Sequence, residues 1–222
     1  MSPPVIPACA NEGTLCRSPS ALFKPGSGTG MCDNRPMETI NFTHHFLIAM
    51  PSLQDANFSG TLTYICRHDE QGAMGLIINR PMDMNLKNLF GQIALTSSNE
   101  DVATQPVYLG GPVQTDRGFV LHTPMGTWRS TLRINDEFGL TTSRDILEQL
   151  SLGHGPESML IALGYAGWEA GQLENEIKLN NWLSVPADPH ILFTLPAEQR
   201  FNAALALLGV NLTYLSEEAG HA

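Results

Sequence analysis

The sequence predicts an α+β fold built as a single domain, and three observations carry that reading. Short apolar or β-branched runs crowd the first two thirds of the chain, and helical periodicity dominates the last third. Several runs are joined by connections short enough for hairpins, which favours a mostly antiparallel sheet. Strands and helices also fail to alternate regularly, so a doubly wound parallel sheet is not expected.

The first 36 residues are a different material. They are rich in Pro, Gly and Ser, carry Cys9, Cys16 and Cys32, and show neither a helical nor an alternating apolar period. Such a segment cannot bury enough surface to offset its ordering entropy, so residues 1–36 are expected to be disordered. An over-extended start, with Met37 or Met31 as initiator, would explain it; a redox tail using the three cysteines is the alternative. The domain is therefore placed at residues 37–222.

Within it, residues 46–50 form an apolar run stopped by Pro51, the pattern of a buried strand. Residues 61–67 (TLTYICR) and 73–79 (AMGLIIN) predict a hairpin around a turn at 68–72. Gly75 inside the second strand points to a bulge or a close backbone approach. Asn85 is placed to cap a helix with Leu86, Leu89, Phe90 and Ile93 on one face, and 96–105 is a solvated acidic loop. Two strands, near 106–109 and 119–121, enclose a polar corner, and 131–134 alternates as a half-exposed strand. A helix capped by Thr142 or Ser143 buries Ile146, Leu147 and Leu150. Residues 159–163 predict a strand closed by a turn at 164–168, and 171–180 a helix. Short strands are expected at 182–185 and 191–193, and a last helix opens at Pro196 and runs to Gly209.

Charge narrows the function classes. The formal net charge is −10, and residues beyond 36 carry nine bases against twenty acids. Phosphate backbones repel such a domain unless its arginines gather on one face, so direct nucleic-acid binding is not expected. No run approaches the roughly 20 apolar residues of a membrane-spanning helix. Cys66 lies alone in an apolar run as core filler, and no cysteine or histidine set has zinc spacing. These features predict a reduced, cytoplasmic domain without metal or cofactor.

The densest polar cluster is GGPVQTDRGFVLH, residues 110–122. Gly110, Gly111 and Pro112 impose a turn, and Gln114, Thr115, Asp116 and Arg117 follow. Asp116, Arg117 and His122 are the candidate catalytic residues, with an Asp–His couple as base. Ser130 or Thr115 could supply a nucleophile, but no G-x-S-x-G elbow exposes a serine. The structural alternative has Asp116 capping the turn and Arg117 and Arg80 in ion pairs. His44 and His45 point to opposite faces of a strand and cannot easily share a metal. The glycines of AMGLIINRP lie within a strand, not at a strand-to-helix turn, so no phosphate cradle forms there. Tyr165, Trp168 and Trp182 flank a glycine-rich stretch as either ligand wall or core. Glu169, Glu174 and Glu176 look like a solvated helix surface. The candidate binding set is thus Gly110, Gly111, Gln114, Asp116, Arg117, Tyr165 and Trp168.

The stretches HHFLIAMP (44–51), the 68–81 run ending GLIINRP, GGPVQTDRGFVLH (110–122), ALGYAGWEAGQLENE (162–176) and the terminal NL…AGHA resemble the YqgE/AlgH family of bacterial proteins. The resemblance covers 41–222 and leaves out the first 36 residues. It implies a bifurcated sheet curled into a pseudo-barrel with flanking helices, and no known reaction. The AlgH name suggests a link to transcriptional control of alginate production, although no DNA-binding module is recognisable. The reading that follows is a non-enzymatic regulatory or protein-interaction domain, with indirect transcriptional regulation as one form it could take, and with an unknown protein partner or small ligand. The alternative is a hydrolase using Asp116, Arg117 and His122.

Overall fold

The computed structural model describes residues 40–97 and 99–209. The expected extension at 1–36, with its three cysteines, and the terminal NL…AGHA stretch lie outside the described residues.

Alternating residues of β1 (His45–Ala49) serve two different cores, which is why the strand is apolar throughout. Phe46 and Ile48 face one side, Leu47 and Ala49 the other. β2 (Leu62–Asp69) and β3 (Gly72–Ile77) form the expected antiparallel hairpin. Their register shifts between Ile65 and Arg67, and a Cβ on Gly75 would lie 2.8 Å from the Tyr64 carbonyl oxygen. The anticipated close approach is therefore real. Cys66 is buried, and burial pushes its thiol pKa up, so it is inert filler.

The chain continues through β4 (Pro81–Asn85), α1 (Leu86–Gln92), α2 (Glu100–Ala103), β5 (Pro106–Leu109), β6 (Val113–Thr123), β7 (Thr131–Arg133) and β8 (Gly139–Thr141). It closes with α3 (Arg144–Ser151), β9 (Ser158–Glu169), α4 (Gln172–Lys178), β10 (Trp182–Pro186), α5 (Pro189–Phe193) and α6 (Ala197–Leu207). The strand order is β10-β1-β2-β3-β9-β6-β8-β7, and β4–β5 branches from β9. All pairs are antiparallel except β5–β9. This is an α+β domain with a sheet curled into a half-barrel.

The branch point makes the sheet bifurcated. β6 runs along one edge of β9; the other edge is shared, with β5 on Ile161, Ala162 and Leu163 and β3 on 166–169. Gly110 sits in the crotch: its carbonyl accepts from Ile77 N–H and its own N–H donates to Leu163, both at 2.8 Å. Between Leu109 and Val113 the chain must pass from one edge of β9 to the other. It crosses directly on the β9 backbone. A Cβ on Gly111 would lie 2.2 Å from the carbonyl carbon of Tyr165, and one on Gly164 would lie 2.4 Å from the Gly111 oxygen. Both residues also hold φ values L side chains avoid, +153° and +73°.

Three cores follow from the curl. The concave face gathers Phe46, Tyr64, Leu76, Phe119 and Leu121 under α5 and α6. α4 covers Leu47, Ile65, Trp168 and Trp182 on the opposite face, and α1 and α3 cover Val107, Val120 and Ile161. Arg200 of α6, only 5% exposed, donates to the carbonyls of Ile78 (2.6 Å) and Leu195 (2.9 Å) and lies over the Tyr108 ring. It ties the last helix to the end of β3.

Several expectations are corrected. The turn at 164–168 does not exist: β9 runs through to Glu169, and its glycines serve the crossing instead. The polar corner at 114–117 is a bulge inside β6, not a break between strands. Ile191, Leu192 and Phe193 are helical, because Asp188 caps α5 by accepting from His190 and Ile191 N–H groups ahead of Pro189. Three apolar residues are too few to distinguish the two periods. The acidic loop contains the short α2, capped by Asn99, and residues 81–85 pair as β4. Asn85 does cap α1, in a reciprocal box with Asn88. Ser143 holds the N-cap position of α3, but its hydroxyl bonds Asp145.

His122 is wholly buried on β6. Its Nδ1–H donates to the Pro124 carbonyl (3.2 Å), which leaves Nε2 to accept from the Thr141 hydroxyl (2.8 Å). That is the neutral ring, and burial accordingly pushes its pKa down; His44 is shifted the same way.

Two predictions follow from this packing. Gly111→Ala should cost at least about 3 kcal/mol, from combined overlap and backbone strain. Gly60→Ala, at φ +69° with nothing within 4 Å of the new methyl, should cost only about 1–2 kcal/mol. Urea melts of the two variants measure the difference, and equal costs would refute the crossing as the tight point. The second concerns pH. Because burial holds the folded His122 pKa below the unfolded value, its contribution is intact above about pH 6.5 and is lost progressively as pH falls from there through the lower folded value. Urea midpoints should drop between pH 7 and 5, and His122→Gln should flatten that slope even if less stable overall.

Candidate functional site

The crossing shapes what comes after it. Once over β9, β6 pairs at Val113 with Tyr165 and next at Gly118 with Leu163. Four residues on β6 thus stand opposite one on β9, and 114–117 are pushed outward as an exposed bulge. Gln114 takes φ +50° there, a conformation that costs a non-glycine residue energy and is common at binding sites.

The bulge forms one wall of an open cleft of about 820 Å³. The β2–β3 hairpin contributes Arg67 and Gln71; the approach to β7 contributes Arg129, Ser130 and Thr131. Met74, Phe119, Leu132 and Tyr165 supply apolar surface, and Tyr165 stands edge-on to Phe119 at 5.6 Å. A volume of this size suits a small-molecule ligand or a short peptide segment. Cavities of about 340 Å³ beside Arg200 and about 270 Å³ beside Gly111 and Thr115 are smaller.

Charge in the cleft runs against the rest of the domain. Arg67, Arg117 and Arg129 line it, and Glu169 is its one acidic lining residue. Arg67 is partly engaged by Asp69, at 2.9 Å. Arg117 is not: it donates to Gln114 Oε1 (3.3 Å) and Thr142 Oγ1 (3.2 Å) and lies 5.7 Å from the Phe119 ring centre. Among the described residues no carboxylate bonds it.

The predicted residues separate into three groups. Gln114, Arg117, Tyr165 and Trp168 border the cleft. Trp168 does so only at its edge, since its indole belongs to the opposite face, where Nε1 donates to Glu176 (2.9 Å). Trp182 donates to the same carboxylate (2.8 Å), and Glu174 meets His68 (3.1 Å). Two of the three glutamates read as solvated surface therefore hold α4 to the sheet. Gly110 and Gly111 belong to the crossing. Asp116 is exposed on the bulge and caps no turn, and Arg80 donates to the carbonyls of Asn57 and Ser59, not to an acid. His122 faces inward with both ring nitrogens occupied, so it does not meet Asp116.

No serine or threonine lining the cleft bonds a histidine among the described residues. His44 and His45 take separate partners, Tyr64 Oη (2.8 Å) and the Thr43 carbonyl (3.1 Å). Among the described residues no three His, Cys, Asp or Glu side chains gather as metal ligands. Arg67 and Arg129 are the site residues the sequence did not single out. Each is an isolated arginine near a strand end, with no local pattern to mark it.

Comparison with known proteins places this geometry in a family. The profile of the AlgH-like family matches residues 46–213. A UPF0301 protein of Thiobacillus denitrificans is 59% identical over 186 residues, 84% of this chain and 100% of its own length. One from Azoarcus sp. is 59% identical over 182 residues, 82% of this chain and 97% of that protein. The solution structure of the AlgH protein from Pseudomonas aeruginosa superposes with a TM-score of 0.69 at 51% identity, covering 86% of this chain and all of that one. A crystal structure of a Corynebacterium diphtheriae protein shares the fold alone, with a TM-score of 0.63 at 19% identity over 81% of this chain and 93% of that one. The chain belongs to the AlgH-like family.

Proposed function

We propose that this chain is a cytosolic, non-enzymatic binding domain with a regulatory output, and that the arginine-lined cleft is its binding site. Residues 37–222 form this domain, with residues 1–36 outside it. The observation that carries the reading is the position of Arg117. It is held out on a strained bulge with only neutral partners, at the mouth of a cleft with an apolar wall. The scaffolding arginines of this domain, Arg80 and Arg200, are held by backbone carbonyls, whereas Arg117 makes only two long side-chain contacts, at 3.2 and 3.3 Å. What favours binding over hydrolysis is that the cleft offers no base beside a hydroxyl, while His122 serves the interior. A regulatory role through a partner follows the expectation that the family resemblance set.

Arg117→Ala should leave stability within about 0.5 kcal/mol, as for an exposed position away from structural features, while abolishing ligand or partner capture. Urea melts and pull-down assays on the same variant measure both. Steady turnover in a broad substrate screen, lost in a folded Arg117→Ala, would overturn the non-enzymatic reading. Direct DNA binding is not part of the proposal, because only three of the nine bases beyond residue 36 line the cleft and the same stretch of sequence carries twenty acids. No duplex retardation is expected at physiological salt in a mobility-shift assay; micromolar, steeply salt-dependent retardation would contradict this.

A further inference from the structure

We infer that the cleft selects a small anionic amphiphile: an oxyanion head, phosphate or carboxylate, carried on a flat apolar body. This rests on the cleft being the binding site and adds the chemistry of what it takes. The head is specified by charge. In a domain with more than twice as many acids as bases, three arginines line a cleft whose one acidic lining residue is Glu169. Asp69 pairs with Arg67 and Asp145 lies near Arg129, so Arg117 is the positive charge that no carboxylate bonds among the described residues, and it favours an anion at this point of an otherwise acidic domain. Guanidinium donors also match the paired oxygens of a carboxylate or phosphate in a way ammonium groups do not.

Arg117 is the residue best placed to hold that head. Its neutral partners, Gln114 and Thr142, orient the planar group without neutralising it. Exchanging these two long contacts for charge-assisted bonds costs little and gains much. The Gln114 amide and the hydroxyls of Ser130 and Thr142 provide further donors along the same wall.

The body is specified by the apolar side of the cleft. Tyr165 is half-buried and packs on Phe119, while Met74 and Leu132 extend the surface between the hairpin and β7. Aromatic edges and a methionine suit a flat apolar group. Arg117 already lies over Phe119, so head and body sites adjoin. A wholly polar anion would leave the apolar surface uncovered, and a neutral hydrophobe would leave Arg117 without its counter-charge.

The test uses 1-naphthyl phosphate, 1-naphthoate, 1-naphthol and inorganic phosphate, titrated into the full chain and followed by calorimetry and backbone amide NMR. At least one naphthyl anion should bind, with shifts centred on Gln114, Arg117 and Tyr165; comparing the two distinguishes a phosphate from a carboxylate head. Naphthol and inorganic phosphate should each bind at least tenfold more weakly. Arg117→Gln should weaken the anion at least tenfold with an otherwise unchanged spectrum. Equal binding of naphthol and the anions, or an unchanged affinity in Arg117→Gln, would overturn the inference. If neither anion binds while Arg117→Ala still loses partner capture, the oxyanion inference falls and the binding-domain reading stands. Steady hydrolysis of naphthyl phosphate by the wild type, lost in Arg117→Ala, would sink that reading and leave anion recognition in place.

Discussion

The structure depends on one backbone-on-backbone contact, where Gly110 and Gly111 ride over Gly164 and Tyr165. β9 is the only strand described with neighbours β3, β5 and β6 together, and β5 and β6 are consecutive in sequence yet lie on its opposite edges. A short connection between them has to cross β9. At about 2 Å clearance for any added methyl, it can do so only where neither chain carries a side chain in the gap. The fork of the sheet, its curl and the separation of the three cores all follow from that passage.

The same contact sets up the cleft. Because Val113 must resume pairing at Tyr165 directly after the crossing, β6 has more residues than β9 can match, and the surplus emerges as the 114–117 bulge. Its energetic cost is local, a left-handed Gln114 and four exposed residues. Its consequence is that Arg117 projects beside Thr142, just past the end of β8, anchored at both ends of the bulge by strand pairing. A recognition group carried by a rigid bulge keeps its geometry better than one on a free loop.

Polar groups in the domain divide sharply by task. Buried polar groups are mostly satisfied, as with His122 between Pro124 and Thr141 and Arg200 on two carbonyls, and the half-buried Glu176 bridges two indoles; the Thr63 hydroxyl has no partner among the described residues. His122 and Arg200 join segments distant in sequence, and each would be costly to leave unpartnered. The arginines of the cleft make the opposite arrangement, with Arg117 solvent-facing and short of counter-charge. That contrast within one chain is the basis on which the cleft is proposed as a binding surface.

The sequence by itself determined the fold class, most strands, the Asn85 cap and the family, because periodicity, capping residues and long varied motifs are local signals. It also marked 110–122 as the organising stretch and picked out Gln114, Arg117 and Tyr165, which the fold places along one cleft. What it could not determine was why. Glycines that permit a turn and glycines that permit a crossing look alike in one dimension, so 164–168 read as a turn when it is strand. Asp116 and His122, six residues apart, suggested a couple that opposite exposure forbids. Arg67 and Arg129 are brought to Arg117 only when the hairpin, the bulge and β7 meet across the curled sheet. Sequence carries local preference; the cleft is made by long-range pairing, and its charge became visible only there.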